Sequence, residues 1–260
     1  MLLDRKKIGH YFAEAVKILV ASVIVIYLVF TALHSSDKVA DVPSPAPASN
    51  TCIRQSPYPL KPEFDRVLSL LLQRYQQANS PQYATFSIMR NCLDVQFADL
   101  GNQGAEGVFY FDQKLSNPQR LLIEVDSKYS STDDLTTAFL LSHEMAHARQ
   151  YVESTSSNKQ WGCVDAEVDA FYSQLLFGAM LNKEESSSIV SRLERGSNNS
   201  QLKEYEHLLD VSYTAIGECR SGNSAQGKVD TVCYKDKLYK AMRAEIVSNP
   251  FYQEECKGDL

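Results

Sequence analysis

Two histidines four residues apart, with a glutamate directly after the first, occur in the run His143-Glu144-Met145-Ala146-His147. On a helix that spacing stacks both imidazoles on one face, within reach of a single metal ion. Glu144 then projects beside the open coordination position, where a base is needed to take a proton from water. The chemistry expected is zinc-assisted hydrolysis, with His143 and His147 as Zn2+ ligands and Glu144 as the catalytic base.

A catalytic zinc site needs a third protein ligand and leaves a fourth position for water. Glu167 fits best, 20 residues beyond His147 in the stretch Cys163-Val164-Asp165-Ala166-Glu167-Val168-Asp169-Ala170-Phe171. It shares a helical stripe with Cys163, Val164, Ala170, Phe171, Gln174 and Leu175, where a carboxylate is costly to bury unless a cation faces it. Asp165 and Asp169 fall on the other side and read as solvated charges. The rival third ligand is Glu153, six residues after His147. Chains that use that position carry a glycine three residues after the second histidine, so that the helix ends; here Gln150 occupies it.

These residues must be held by folded elements. Pro62 to Asn79 reads as a helix, with proline in its first turn and Phe64, Val67, Leu68, Leu71, Leu72 and Tyr75 at helical spacing. Short strands are expected at Ala84–Met89, Leu93–Ala98, Val108–Phe111 and Leu121–Val125, separated by Gly and Asn-Pro punctuation. The motif helix spans about Thr132 to Val152. On it Thr136, Phe139, Leu140, His143, Ala146, His147 and Gln150 form one largely apolar face. Further helices are expected over Cys163–Leu181, Glu184–Arg195, Gln201–Cys219 and Tyr234–Val247. The order predicts an α+β domain: a small sheet, then the motif helix, then helices only.

Before this domain the chain has a different character. Residues 13–34 are almost wholly apolar and follow Arg5, Lys6 and Lys7, which predicts a signal anchor with its N-terminus in the cytoplasm. A cleaved signal peptide, giving a secreted protein, is the competing reading. The segments expected are a basic tail over 1–12, the transmembrane helix over 13–34, a Pro/Ala/Ser-rich linker over 35–61 and a globular part over 62–260. All six cysteines (Cys52, Cys92, Cys163, Cys219, Cys233, Cys256) follow the apolar segment, as expected for three disulfides in an oxidising compartment. Residues 1–40 hold five basic and three acidic side chains, leaving 21 basic and 29 acidic beyond them. An acidic exterior domain without a basic stripe argues against nucleic acid as a partner.

The combination of HExxH with a glutamate on the next helix resembles the zincin metallopeptidases of the gluzincin type, including uncharacterised bacterial members. The resemblance covers about residues 62–181. It implies a zincin-like fold with a small twisted sheet, an active-site helix and following helices. It also implies a peptide or protein substrate, lying extended along the strand near Leu121 to Val125. Where some gluzincins carry an acid four residues after the glutamate ligand, this chain has Phe171, so a histidine must be oriented by another group. His207, Tyr205 and Tyr213 are the nearest options for a transition-state donor. Two alternatives stand beside the peptidase: a catalytically silent zinc protein, whose metal would need Glu153 or Asp165 as well, and a disulfide-stapled interaction protein of the cell envelope.

Overall fold

The computed structural model describes residues 60–258, apart from 79, 102, 104, 111–120, 131–133, 158, 197–206, 208, 209, 213, 216 and 221–229. The tail, the anchor segment 13–34 and nearly all of the linker lie outside the described residues. No helix among the described residues is long and apolar enough to cross a membrane.

The fold is mixed α+β, mostly helical, with one sheet of three strands among the described residues. Helix α1 (Pro62–Gln77) starts on Pro62, carries Glu63 and Asp65 in its first turn, and buries Phe64, Val67, Leu68, Leu71, Leu72 and Tyr75. These are the residues its periodicity selects. Acidic side chains there also complement the helix dipole.

Ala84–Met89, expected as a strand, belongs instead to helix α2 (Gln82–Met89), which runs into a 3-10 turn over Arg90–Cys92. Burial explains the difference: Phe86 and Met89, three apart, both point into the core. Phe86 meets Tyr75 edge-on at 5.5 Å between ring centroids. Period three at these two anchors outweighs the aromatic and branched composition that favoured a strand.

Strands β1 (Leu93–Ala98), β2 (Gly107–Phe109) and β3 (Leu121–Asp126) lie in the order β1-β3-β2. β1 runs parallel to β3, with Val95 opposite Ile123 and Phe97 opposite Val125, whereas β2 is antiparallel to β3. The strand expected to line a substrate cleft, near Leu121 to Val125, is therefore the middle strand, with both of its edges paired. Alternating burial puts Leu121, Ile123 and Val125 into the core.

Helix α3 (Asp134–Ser157) carries the histidines and packs between α1, the sheet strands β2 and β3, and helix α4 (Cys163–Gly178). It runs five residues beyond the expected Val152. With Gln150 rather than glycine in its last third, nothing releases the chain. Arg149 pairs with Glu153 one turn on, at 2.5 Å. Burial extends round the helix rather than along one face: Ala138, Leu141, Met145, Ala148 and Val152 join the main core opposite the histidines.

Helix α4 also packs on two sides. One side meets α3. The other, through Val164 and Val168, joins a second core with Leu238, Met242 and Ile246 of helix α6 (Thr231–Ser248) and Tyr252 of helix α7 (Pro250–Glu255). Helix α5 (Lys183–Gly196) closes the main core with Ile189 and Leu193. The helix expected over 201–219 lies partly outside the described residues; those described between 207 and 218 are helical. Asp230 caps α6 by accepting from the backbone of Val232 and Cys233.

Disulfides join Cys163 to Cys256 and Cys219 to Cys233. Cys92 is disulfide-bonded too, and Cys52 lies outside the described residues.

Candidate metal centre

One turn of α3 separates His143 from His147, and the Nε2 atoms of the two rings converge to 3.1 Å. Glu167, from α4, closes the third corner: its carboxylate oxygens lie 3.5 Å from His143 Nε2 and 3.3 Å from His147 Nε2. Donors held about 2.0–2.1 Å from one tetrahedral ion would stand about 3.3–3.4 Å apart. The imidazole nitrogens stand slightly closer than that, each faces a different oxygen of Glu167 near that distance, and two imidazoles with a carboxylate form a donor set that suits a divalent cation. His143, His147 and Glu167 could therefore hold a metal ion.

The electrostatics of the group follow from its burial. Burial opposes ionisation of Glu167, but the imidazoles of His147 and His143 outweigh it and hold the carboxyl below its usual range. Glu144 differs. It is almost fully buried, and burial above all pushes its carboxyl up to about 7, with Glu167 and Glu255 adding to the rise. The charge of His147 and a hydrogen bond from the Phe109 backbone pull the other way.

β2 supplies the surroundings of Glu144. The Phe109 backbone binds its carboxylate, and Gly107 leaves it room. A Cβ on Gly107 would stand 2.8 Å from Oε1 and 2.9 Å from Cγ of Glu144. This glycine is needed for close approach rather than for an unusual backbone angle. Neither Gly107 nor Phe109 is marked as functional by its own sequence context.

His147 turns its other ring nitrogen, Nδ1, to Oε1 of Gln150 at 3.0 Å. Gln150 in turn donates through Nε2 to the carbonyl of Ala166 (2.8 Å) and to Asp169 Oδ2 (3.0 Å), both on α4. Asp169 also accepts from Arg149 and, at 3.4 Å, from the hydroxyl of Tyr239 on α6. It is thus an internal hub rather than a solvated charge, because α4 is covered by α6 on the side that helical spacing leaves open. Asp165 is exposed and pairs with Arg243.

Phe171, one turn after Glu167, sets its ring edge-on to His143 with centroids 4.6 Å apart. Tyr252 of α7 packs behind it at 6.0 Å. Phe171 thus forms an aromatic wall against His143, braced by α7.

Glu153, the rival ligand, is engaged elsewhere, accepting from Arg149 at 2.5 Å and from Lys159 at 2.9 Å. Neither it nor Asp165 joins the donor group. His207 is paired with Glu245 at 3.0 Å on the exposed side of α6. Tyr205 and Tyr213 lie outside the described residues.

Signals for the missed residues were partly present. Gln150 follows His147 by three positions, a spacing at which side chains on a helix meet. Gly107 and Phe109 are distant in sequence and become neighbours of Glu144 only through packing of β2 on α3. No protein-family model, curated protein or solved structure matches the chain.

Proposed function

We propose that this chain is a zinc-dependent metallopeptidase of the zincin type, held at a membrane by residues 13–34 and acting outside the cytoplasm. The observation that carries the reading is the juxtaposition of the His143–His147–Glu167 donor group with a buried carboxylate, Glu144, that belongs to none of the three corners. A purely structural zinc site has no use for a fourth ionisable group of raised affinity for protons beside it, whereas hydrolysis needs one.

Bound Zn2+ supplies Lewis acidity toward water and a carbonyl oxygen. His143 and His147 hold it through neutral imidazoles, and Glu167 contributes the balancing charge. Glu144 would take a proton from the attacking water and return it to the departing amine, a task that its buried place beside the donor group suits. The Phe109 backbone and Gly107 keep that carboxylate in place.

Among the described residues β1 and β2 each pair only with β3, so the edge strands rather than β3 are open to an extended peptide, and β2 is the edge beside Glu144. A peptide added there would run beside Glu144.

Metal content and peptide hydrolysis, measured on the full-length protein and on E144Q, test the proposal. One bound zinc in both, with hydrolysis lost only in E144Q, is expected. Zinc in both without hydrolysis in either would leave a metal-binding protein and end the peptidase reading. Absence of metal, with thermal stability indifferent to a chelator, would favour a disulfide-stapled interaction protein.

A further inference from the structure

We infer that Gln150 is the positioning residue of the metal centre: its amide fixes the ring orientation and tautomer of His147 and ties the two ligand-bearing helices together. The inference rests on reading His143, His147 and Glu167 as metal ligands. It adds a residue outside the HExxH-plus-Glu pattern, and one of neutral chemistry where a carboxylate is the common choice.

The amide is nearly fully buried. Its Nε2 faces two acceptors, the Ala166 carbonyl at 2.8 Å and Asp169 Oδ2 at 3.0 Å. A primary amide has two N–H donors, and both are used there. Turning the amide over would set its oxygen against those two acceptors, with no hydrogen between them, so the orientation is imposed by α4. Oε1 is then left facing His147 Nδ1 at 3.0 Å and can only accept. Nδ1 must carry a proton, so in the neutral ring Nε2 is the nitrogen with the lone pair, and it faces His143 and Glu167.

Position along α4 gives the amide a second effect. Ala166 immediately precedes the ligand Glu167, and Asp169 follows it by two residues. One side chain therefore binds the imidazole of one ligand and the backbone beside another, setting the separation of the corners. Asp169 is itself held by Arg149, so the arrangement is braced from α3 as well. A neutral amide in this place leaves Glu167 as the centre's single anionic donor.

The test compares the full-length protein with Q150M, which keeps the length of the side chain without an acceptor or donor, and with Q150E/D169N, which restores an acceptor for His147 Nδ1 and a hydrogen bond between positions 150 and 169 but leaves the Ala166 carbonyl without its donor. Zinc affinity is measured by competition with a chromophoric chelator, and the tautomer of His147 by nitrogen-15 NMR of the metal-free protein. We expect zinc bound about 10–100-fold more weakly by Q150M, part of that loss recovered in Q150E/D169N, and the Nδ1–H form of His147 lost in Q150M alone. Wild-type affinity in Q150M with the Nδ1–H form retained overturns the inference. These readouts do not depend on hydrolysis, so a chain that gives the expected affinities and cleaves no peptide keeps the inference and loses the peptidase. Should the wild-type protein bind no zinc, the tautomer comparison decides alone: a form unchanged by Q150M refutes the positioning role.

Discussion

The carboxylate of Glu144 lies directly against Gly107, so close that a single added methyl group would stand 2.8 Å from its Oε1. Motif helix and sheet edge thus meet at the one glycine of β2, and the base is positioned by the absence of a side chain.

Gly107→Ala is expected to displace Glu144 while leaving the metal donors in place, since His143, His147 and Glu167 come from α3 and α4 and the added methyl group would meet Glu144. A misplacement approaching 1 Å at a reacting group lowers turnover by up to about 100-fold. Peptide hydrolysis in G107A should fall by about 10–100-fold at unchanged zinc content. A variant as active as wild type would show that the position of Glu144 is not critical.

The third ligand can be settled by two substitutions. Glu167→Ala removes a corner of the donor group and leaves His143 and His147 as a two-ligand site, which should abolish stoichiometric zinc retention through dialysis. Glu153→Ala removes only a partly exposed pair with Arg149 and Lys159. It should retain full zinc and change stability by less than about 1 kcal/mol. Full retention in E167A, with loss in E153A, would reverse the assignment.

The Arg149–Glu153–Lys159 cluster also predicts an acid-side dependence of stability. Burial alone would raise the Glu153 carboxyl, but the charges of Arg149 and Lys159 prevail and set it below its usual 4.5. A carboxyl depressed in the folded state contributes stability that is fully present above the unfolded value. That contribution is lost as pH falls through the folded one. Urea titrations between neutral pH and pH 3 should therefore show a shallower acid-side decline for E153Q than for wild type. Parallel curves would mean that the cluster is too well solvated to matter.

The Cys163–Cys256 bond links residues 93 apart and fastens α7 to the first turn of the helix that bears Glu167. Constraining a loop of this size in the unfolded chain stabilises the fold by about 2–4 kcal/mol. C163A/C256A should lose that amount in denaturant unfolding. Because Tyr252 braces Phe171 against His143, zinc affinity should decline as well. An affinity unaffected by the double substitution would confine the disulfide to stability.

Local sequence determined the chemistry-bearing elements almost completely. HEMAH specifies a helix with two stacked imidazoles, and the apolar stripe around Glu167 already marks a carboxylate with something to face. Both statements depend only on the 3.6-residue period, which neighbouring positions enforce by themselves. The strands of Leu93–Ala98 and Leu121–Asp126 were legible for the same reason, through the period of two. Ala84–Met89 was not, because a short apolar run satisfies either period, and Tyr75, on another element, decided for the helix.

Tertiary structure alone decided which groups serve these residues. β3 became the middle strand through pairing on both edges, so β2 became the neighbour of Glu144. Asp169 became internal because α6 covers α4, and Gln150 became its partner because α3 and α4 pack side by side. Such contacts join residues separated by tens of positions, and no local preference encodes them. They arise from the need to bury two faces of the same helix and to satisfy every polar group trapped between them.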